Sequence, residues 1–401
     1  MPRTLRSTAL AAALVLGGTV SLHAQADSAL YVSSGGTQLF RVNVDAGLVA
    51  NGTSGTGSIP ATGAGVRMMW FPNKYAFRAG SVSSFGATYW DLGSVGTGSA
   101  AFGENTRASG AGSFAAGLAT TASGAQSAAL GNNSTASGDR SFAVVAATAS
   151  GAGAVALGDG AQATGDESAA IGQSSIAGGL GATVIGPSIA NGSYAVAMGL
   201  QNSASGNFSI AIGKNARTAN RQGSVVLGDG CAGFSSDSVY ATANNQFVAR
   251  GCGGIRFFTS QNLSSGVEVA AGGGSWSSIS DRNRKENFLG VDGEELLARL
   301  RNVPVSTWNY KTQDRSIRHM GPMAQDLFAA FGLGESNLMI NSVDIDGVNL
   351  AGVQAVAART DALRAQVHTL TEENTELRGR VTDLEARLQR LEALVAAQAK
   401  P

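Results

Sequence analysis

The chain is poor in almost everything from which a conventional enzyme is built. Its 401 residues include two cysteines, three histidines and seven prolines, and only 14% are charged and 6% aromatic. Two thiols without a nearby histidine make a poor metal site, and no cofactor-binding pattern is present. Lys and Arg balance Asp and Glu at 28 each, so nothing drives the protein generally toward nucleic acid or an anionic membrane. Beyond the N-terminus no run is apolar enough to span a bilayer. The glycine-rich part has no carboxylate pair or metal-ligand spacing, which argues against chemistry on an external substrate.

What is present begins with a leader. Arg3 and Arg6 precede an apolar run at 9–20, and Ala-Gln-Ala at 24–26 fits a small-x-small cleavage site. Residues 1–26 therefore read as a secretory signal, with the mature chain starting at Asp27. A membrane anchor, the competing reading, asks for a longer apolar run. The expectation is an exported protein: periplasmic, extracellular or associated with a bacterial cell surface, with no transmembrane anchor. In such a compartment Cys231 and Cys252 can pair, though the glycine-rich sequence around them leaves both a disulfide and two free thiols open.

Glycine is abundant, 55 of 401, but without the G-X-Y period of collagen. Its period is 14, with occasional units of 13: GTGSAAFGENTRAS from Gly96, then GAGSFAAGLATTAS, and later GNFSIAIGKNARTA at 206–219. Position 1 is Gly and position 8 nearly always is. Positions 5 and 7 are often apolar (Val155/Leu157, Ile210/Ile212), with Ala between them. Residues i and i+2 share one face of a strand, and glycine punctuates the turns. The pattern predicts a parallel β-solenoid in which each rung buries its apolar pair against its neighbours. A disordered linker would lack that register, and calcium-binding nonapeptides need a spacing that one Gly-Asp-Gly does not supply. Because many inward residues are Ala, the core is thin and side-by-side association is expected. The Ala and Gly faces suit repetitive contact with a host protein or glycan surface. The aromatics Trp70, Phe71, Tyr75 and Phe77 read as a cap on the first rung rather than a ligand site.

This repeat resembles the heads of trimeric autotransporter adhesins, over roughly 96–230. The resemblance implies a left-handed parallel β-roll in a three-chain bundle. Those adhesins end in a membrane β-barrel; this chain ends in Leu-Val-Ala-Ala-Gln-Ala-Lys-Pro, so anchoring by that route is not expected.

Past Gly-Gly-Gly at 272–274 the composition turns charged and leucine-rich. Asp292 caps a predicted helix over 292–303, 305–311 reads as a strand, 322–332 as a helix and 340–350 as a short strand and turn. A long helix then carries heptads, with Leu363, Leu370, Leu377, Leu384 and Leu391 at d and Val367, Asn374, Val381, Leu388 and Val395 at a. The g–e pairs Glu373–Arg378, Arg380–Glu385 and Arg387–Glu392 are opposite in sign, as a parallel in-register homo-oligomer requires. The competing reading is one amphipathic helix packed on its own domain. Val and Asn at a lean toward a dimer; the roll leans toward a trimer, which is the expectation.

Four blocks carry a second resemblance: SDRNRKENF (280–288), STWNYK (306–311), IRHMGPMAQD (317–326) and DIDGVNLAGVQA (344–355). Together they resemble the S74 peptidase domain, the C-terminal intramolecular chaperone of endosialidase-type phage tailspikes. The resemblance implies that this domain trimerises the fibre upstream and then cuts itself off before the serine of its S-D-x-R/N-x-K motif. Here that serine is Ser280, the lysine Lys285, the supporting acid Asp281 and the scissile bond Ile279–Ser280; Asn283 stands where many relatives have Arg. A serine needs a base, and a lysine can serve. Residues five apart face away on a strand and stand about 140° apart on a helix, so Ser280 and Lys285 meet only across a turn or between chains. The competing reading makes Ser-Asp-Arg a helix cap and Lys285 a solvated charge. His319 is read as structural.

The organisation expected is a leader (1–26), a cap region (27–95), roll repeats (96–230), a neck (231–279), the chaperone domain (280–360) and a coiled coil (361–398). Two functions compete: a trimeric fibre that processes itself, and an adhesive fibre whose chaperone-like domain is inactive and stays attached.

Overall fold

The computed structural model describes residues 20–22, 28–34, 37–43, 47–231 and 237–398; apart from 20–22, the proposed leader lies outside the described residues. The chain divides into two compact units, Met1–Gly254 and Ile255–Pro401. The division falls inside the stretch read as a neck.

The first unit begins with a four-stranded antiparallel sheet, Val20–Leu22, Ser28–Ser34, Thr37–Asn43 and Gly47–Ala50. A hairpin follows, Gly65–Phe71 and Ala76–Val82, and its second strand pairs in parallel with Ala100–Glu104. From there the chain winds as a parallel β-solenoid. One strand of each turn joins a sheet of 13 strands and the other a sheet of 10. Equivalent residues stack directly: Thr121 on Thr135, Ala129 on Ala143, Ala197 on Ala211. The ladders continue through Val239–Tyr240 and Phe247–Ala249, so the 13-stranded sheet, with the hairpin at its other end, outlasts the 96–230 repeats on both sides.

The alternation is inverted from the sequence expectation. Position 6 faces inward: Ala101, Ala115, Ala129, Ala143, Ala156 and Ala170 are all fully buried. Position 13 faces it from the other sheet, with Ala108, Ala122, Ala136 and Ala163 equally buried. The apolar residues at positions 5 and 7 face out; Phe102, Phe114, Ile171, Ile185 and Ile212 each keep more than a third of their surface exposed. The physical reason is width. A coil closed by so few residues leaves a channel that a methyl or hydroxyl fills, and a Leu or Phe would overpack it. The Ala columns are therefore unavailable to a host surface, and a ladder of apolar side chains occupies the outside of the larger sheet instead.

Glycine at position 1 is demanded by proximity. A Cβ on Gly110 would lie 1.9 Å from the carbonyl oxygen of Gly124 in the next rung, and one on Gly124 2.0 Å from that of Gly138. Interior serines satisfy themselves locally, as when Ser113 Oγ donates to the Gly110 carbonyl at 2.7 Å. The hairpin closes the first rung: Arg78 aligns with Ala101 and is itself buried. Its guanidinium donates to the Ser99 carbonyl (3.0 Å), Ser99 Oγ (2.8 Å) and the Ala108 carbonyl (2.9 Å). Burial pulls its pKa down to about 10. Of the cap aromatics, Phe71 is buried, whereas Trp70 and Tyr75 are exposed; Phe77 stands 5.5 Å from the Phe102 ring.

The second unit opens with a three-stranded antiparallel sheet, Ile255–Phe258, Gly266–Val269 and Ser277–Ser278. Helix α1 spans Gly293–Leu300, and Asp292 caps it by accepting from the Glu294 and Glu295 amides. Ser306–Trp308 pairs with His319–Gly321. Helix α2 spans Ala324–Phe331 and stops at Gly332, φ 65°. Helix α3 spans Ser342–Gln398, which corrects the strand expected over 340–350. That segment is helical because tertiary packing outweighs its β-branched residues: Val348 and Ala355 are buried, and Gly352 meets Leu296 and Leu300 of α1. The heptad residues from Leu363 to Val395 lie along α3, and their apolar members are more than half exposed; Asn374 accepts from Arg378. No helix among the described residues is long and apolar enough to cross a membrane.

Candidate active site

The predicted dyad is assembled within a single chain. Strand Ser277–Ser278 pairs with Gly266–Val269, matching Val267 to Ser278 and Glu268 to Ser277. The Ile279 amide extends this pairing by donating to the Gly266 carbonyl at 3.2 Å. The chain then turns sharply through a 3-10 segment, Arg282–Arg284. Asp281 caps that segment, its Oδ1 accepting from the Asn283 amide at 2.9 Å and from Asn283 Nδ2 at 3.1 Å. The turn brings Lys285 back over Ser280, with Nζ donating to Oγ at 2.6 Å.

Each residue thus has a definite place. Ser280 and Lys285 touch within one chain, across a turn. Asp281 holds the turn as an Asx cap, so the capping role and the serine–lysine contact coexist. Ile279 sits at the end of a paired strand with its carbonyl beside the Ser280 hydroxyl in sequence. Both members of the dyad are exposed, and an open cleft of about 440 Å³ runs past Ser280, walled by Arg256, Phe258 and Glu268. Water reaches the site freely.

Sequence reasoning missed the hairpin's part. Arg284 Nη1 donates to the Leu263 carbonyl at 2.7 Å, in the loop between Ile255–Phe258 and Gly266–Val269. In the sequence Arg284 is one of three basic residues in a row of polar ones, and a contact with a main-chain carbonyl 21 residues upstream leaves no pattern. Arg256 and Glu268, opposite each other on the hairpin, pair at 2.8 Å. His319 is engaged elsewhere, against Trp308 at 4.8 Å and with Gln313 at 2.9 Å.

At the end of the solenoid Cys231 and Cys252 are joined as a disulfide, their Cα atoms 6.4 Å apart. Asp229 lies beside them and accepts from the Cys252 amide (2.6 Å) and Arg250 Nε (2.8 Å). The Cys252 amide above all, then Arg250, hold its carboxyl below the ordinary range against the opposing effect of burial. Both sulfurs are spent in that bond, and the carboxylate is paired with Arg250.

A parallel solenoid closed by small residues, followed by a unit with a serine–lysine turn, is the class the geometry defines. Comparison with known families agrees in both parts. Residues 280–332 match the peptidase S74 family model, described as chaperone of endosialidase. Six stretches between 94 and 216 match the YadA head domain repeat. No curated protein matches the chain.

Proposed function

We propose that this is an exported, trimeric fibre or adhesin-like protein whose C-terminal domain directs its assembly and then cleaves the Ile279–Ser280 bond. The observation that carries the cleavage is the 2.6 Å contact between Lys285 Nζ and Ser280 Oγ, two residues past the strand Ser277–Ser278 that leads into the Ile279–Ser280 bond. In this reading Lys285 Nζ is the base that takes the hydroxyl proton. Ser280 Oγ attacks the Ile279 carbonyl carbon; the C–O bond forms, the C–N bond breaks, and the proton passes to the departing Ser280 amine. Water then hydrolyses the ester, leaving an Ile279 carboxylate and a new N-terminus at Ser280. Each chain turns over once.

Self-association is supported by two unpartnered apolar surfaces. One is the outward ladder on the larger sheet; the other is the exposed heptad face of α3. Exposed apolar surface of this extent marks an interface. A parallel coiled coil over 361–398 fits the heptads, and the YadA-type repeats favour three chains and a surface or extracellular location. Contact with a host protein or glycan would use the exposed turn edges.

A second reading, a fibre that stays whole, is favoured by the exposure of Ser280 and Lys285 in the single chain, since such chemistry gains from excluding water. Intact mass decides between them. Cleavage predicts a fragment beginning at Ser280 from the wild type and full-length chains from Ser280→Ala and Lys285→Ala. A wild type that remains whole while trimeric would leave only the assembly role.

A further inference from the structure

We propose that the hairpin Ile255–Phe258/Gly266–Val269 is the template of the cleavage site, and that Arg284 is the positioning residue that clamps the serine–lysine turn to it. This rests on the self-cleavage reading and deepens it. Attack by Ser280 on the carbonyl of its own peptide bond closes a five-membered ring, and only a narrow range of backbone and side-chain angles brings oxygen to carbon. Such a reaction depends on holding geometry.

The hairpin grips the chain on both sides of the scissile bond. Upstream, the Ile279 amide donates to the Gly266 carbonyl at 3.2 Å. Downstream, Arg284 donates to the Leu263 carbonyl at 2.7 Å. Ser280 to Asn283 lie between the two ties. The downstream anchor is itself held: Leu263 adopts φ 57°, its amide donates to the Ser260 carbonyl at 3.1 Å, and Ser260 Oγ accepts from the Ser264 and Ser265 amides at 2.8 and 3.0 Å. The loop therefore aims a fixed carbonyl at the arginine.

The same guanidinium stands 3.8 Å from Asp281, the cap of the turn and the neighbour of Ser280. Arg284 thus links cap to hairpin, a reach that suits a long side chain ending in a planar fork of donors. Its neighbour Arg282 is turned away, over the Phe288 ring at 4.8 Å. A three-residue 3-10 turn is poorly stable by itself, and an exposed one would sample many arrangements of Lys285 relative to Ser280. The tie to Leu263 restricts that sampling and couples the dyad to the strand that presents the bond.

The test is a time course of fragment formation by intact mass, using the full chain as wild type, Ser280→Ala, Arg284→Ala, Arg284→Lys and Ser260→Ala. Oligomeric state, Tm and the pH–rate profile are measured alongside. Expected are cleavage slowed about tenfold or more in Arg284→Ala, a smaller loss in Arg284→Lys, whose ammonium still donates to a carbonyl, and slowing in Ser260→Ala. Assembly, Tm and the midpoint of the pH–rate profile stay at wild-type values, because the clamp supplies geometry and not charge. A wild-type rate in Arg284→Ala overturns the clamp while leaving self-cleavage intact. So does a rate restored at higher pH, which would make Arg284 an electrostatic partner of the base. If Arg284→Ala fails to assemble, Ser260→Ala decides, and a wild-type rate there overturns the proposal. Absence of any fragment from the wild type is a separate failure, that of the cleavage reading, and the clamp falls with it.

Discussion

Replacing Gly124 with Ala tests how the solenoid is held together. Gly124 stands at position 1 with ordinary backbone angles, so the added methyl introduces no conformational strain. It does introduce a collision: the Cβ would sit 2.0 Å from the Gly138 carbonyl oxygen and 2.4 Å from its carbon. Both are backbone atoms and cannot rotate away. The rungs must part locally by more than about 1 Å to restore van der Waals contact. That stretch would break the Ser123 amide bond to the Ala136 carbonyl, now 2.9 Å, and the longer Gly124 amide bond to the same oxygen, now 3.3 Å. Two ladder bonds at about 0.5–1.5 kcal/mol each, with packing lost around them, come to about 2–3 kcal/mol. For a domain of this size the melting temperature should fall by roughly 5–10 °C. Gly112→Ala is the control. Gly112 has φ +66° and its Cβ would come no nearer than 3.7 Å to Gln126, so only the left-handed penalty of about 1–2 kcal/mol applies. Thermal unfolding followed by far-ultraviolet circular dichroism should rank Gly124→Ala below Gly112→Ala, and both below wild type. A Gly124→Ala protein melting with the wild type, or above Gly112→Ala, would refute the argument that close rung contact fixes the glycine column.

Three further outcomes are expected. Ile171→Glu, on the outward ladder, should weaken self-association in sedimentation velocity while changing the stability of the single fold by no more than about 0.5 kcal/mol; Ala170→Glu, one residue away but fully buried, should prevent the solenoid from folding. Cys252→Ser should cost about 3 kcal/mol at the solenoid's C-terminal end, the loop-closure value for a bridge of this span, seen as faster hydrogen exchange at Phe247–Ala249 than in the wild type. Because the folded-state pKa of Asp229 is depressed, its contribution is present above the unfolded carboxylate pKa and is lost as pH falls through the lower folded value. The protection of the amides in the same strand, relative to their intrinsic exchange rate at each pH, should therefore fall on acidification below about pH 4, and less steeply in Asp229→Asn.

Much of the architecture was readable before any coordinates. The period of 14, the paired glycines and the Ala between apolar residues predicted a solenoid. Asp292 predicted the start of α1, and the heptads from Leu363 to Val395 predicted the helix that carries them. The serine–lysine spacing restricted Ser280 and Lys285 to a turn or a contact between chains, and the turn is what forms. The misreading of 340–350 has a plain cause. Val343, Ile345 and Val348 favour a strand locally, but Gly352 lets α3 close on Leu296 and Leu300 and Ala355 packs over Gly293, and that burial is invisible to a local pattern.

The sequence by itself determined the repeat, its two-residue alternation and the identity of the residues that could do chemistry, because these depend only on chain geometry over a few residues. It did not determine which face of the alternation lies inside. Positions 5 and 7 must point opposite to position 6 in any strand, and only the width of the closed coil assigns the Ala columns to the interior and the Phe, Ile and Leu ladder to the surface. Nor did it determine that Arg284 reaches Leu263 or that Gly266 holds Ile279. Those contacts exist because a hairpin folds back beside Ile279 and Ser280, a matter of how distant segments meet in space.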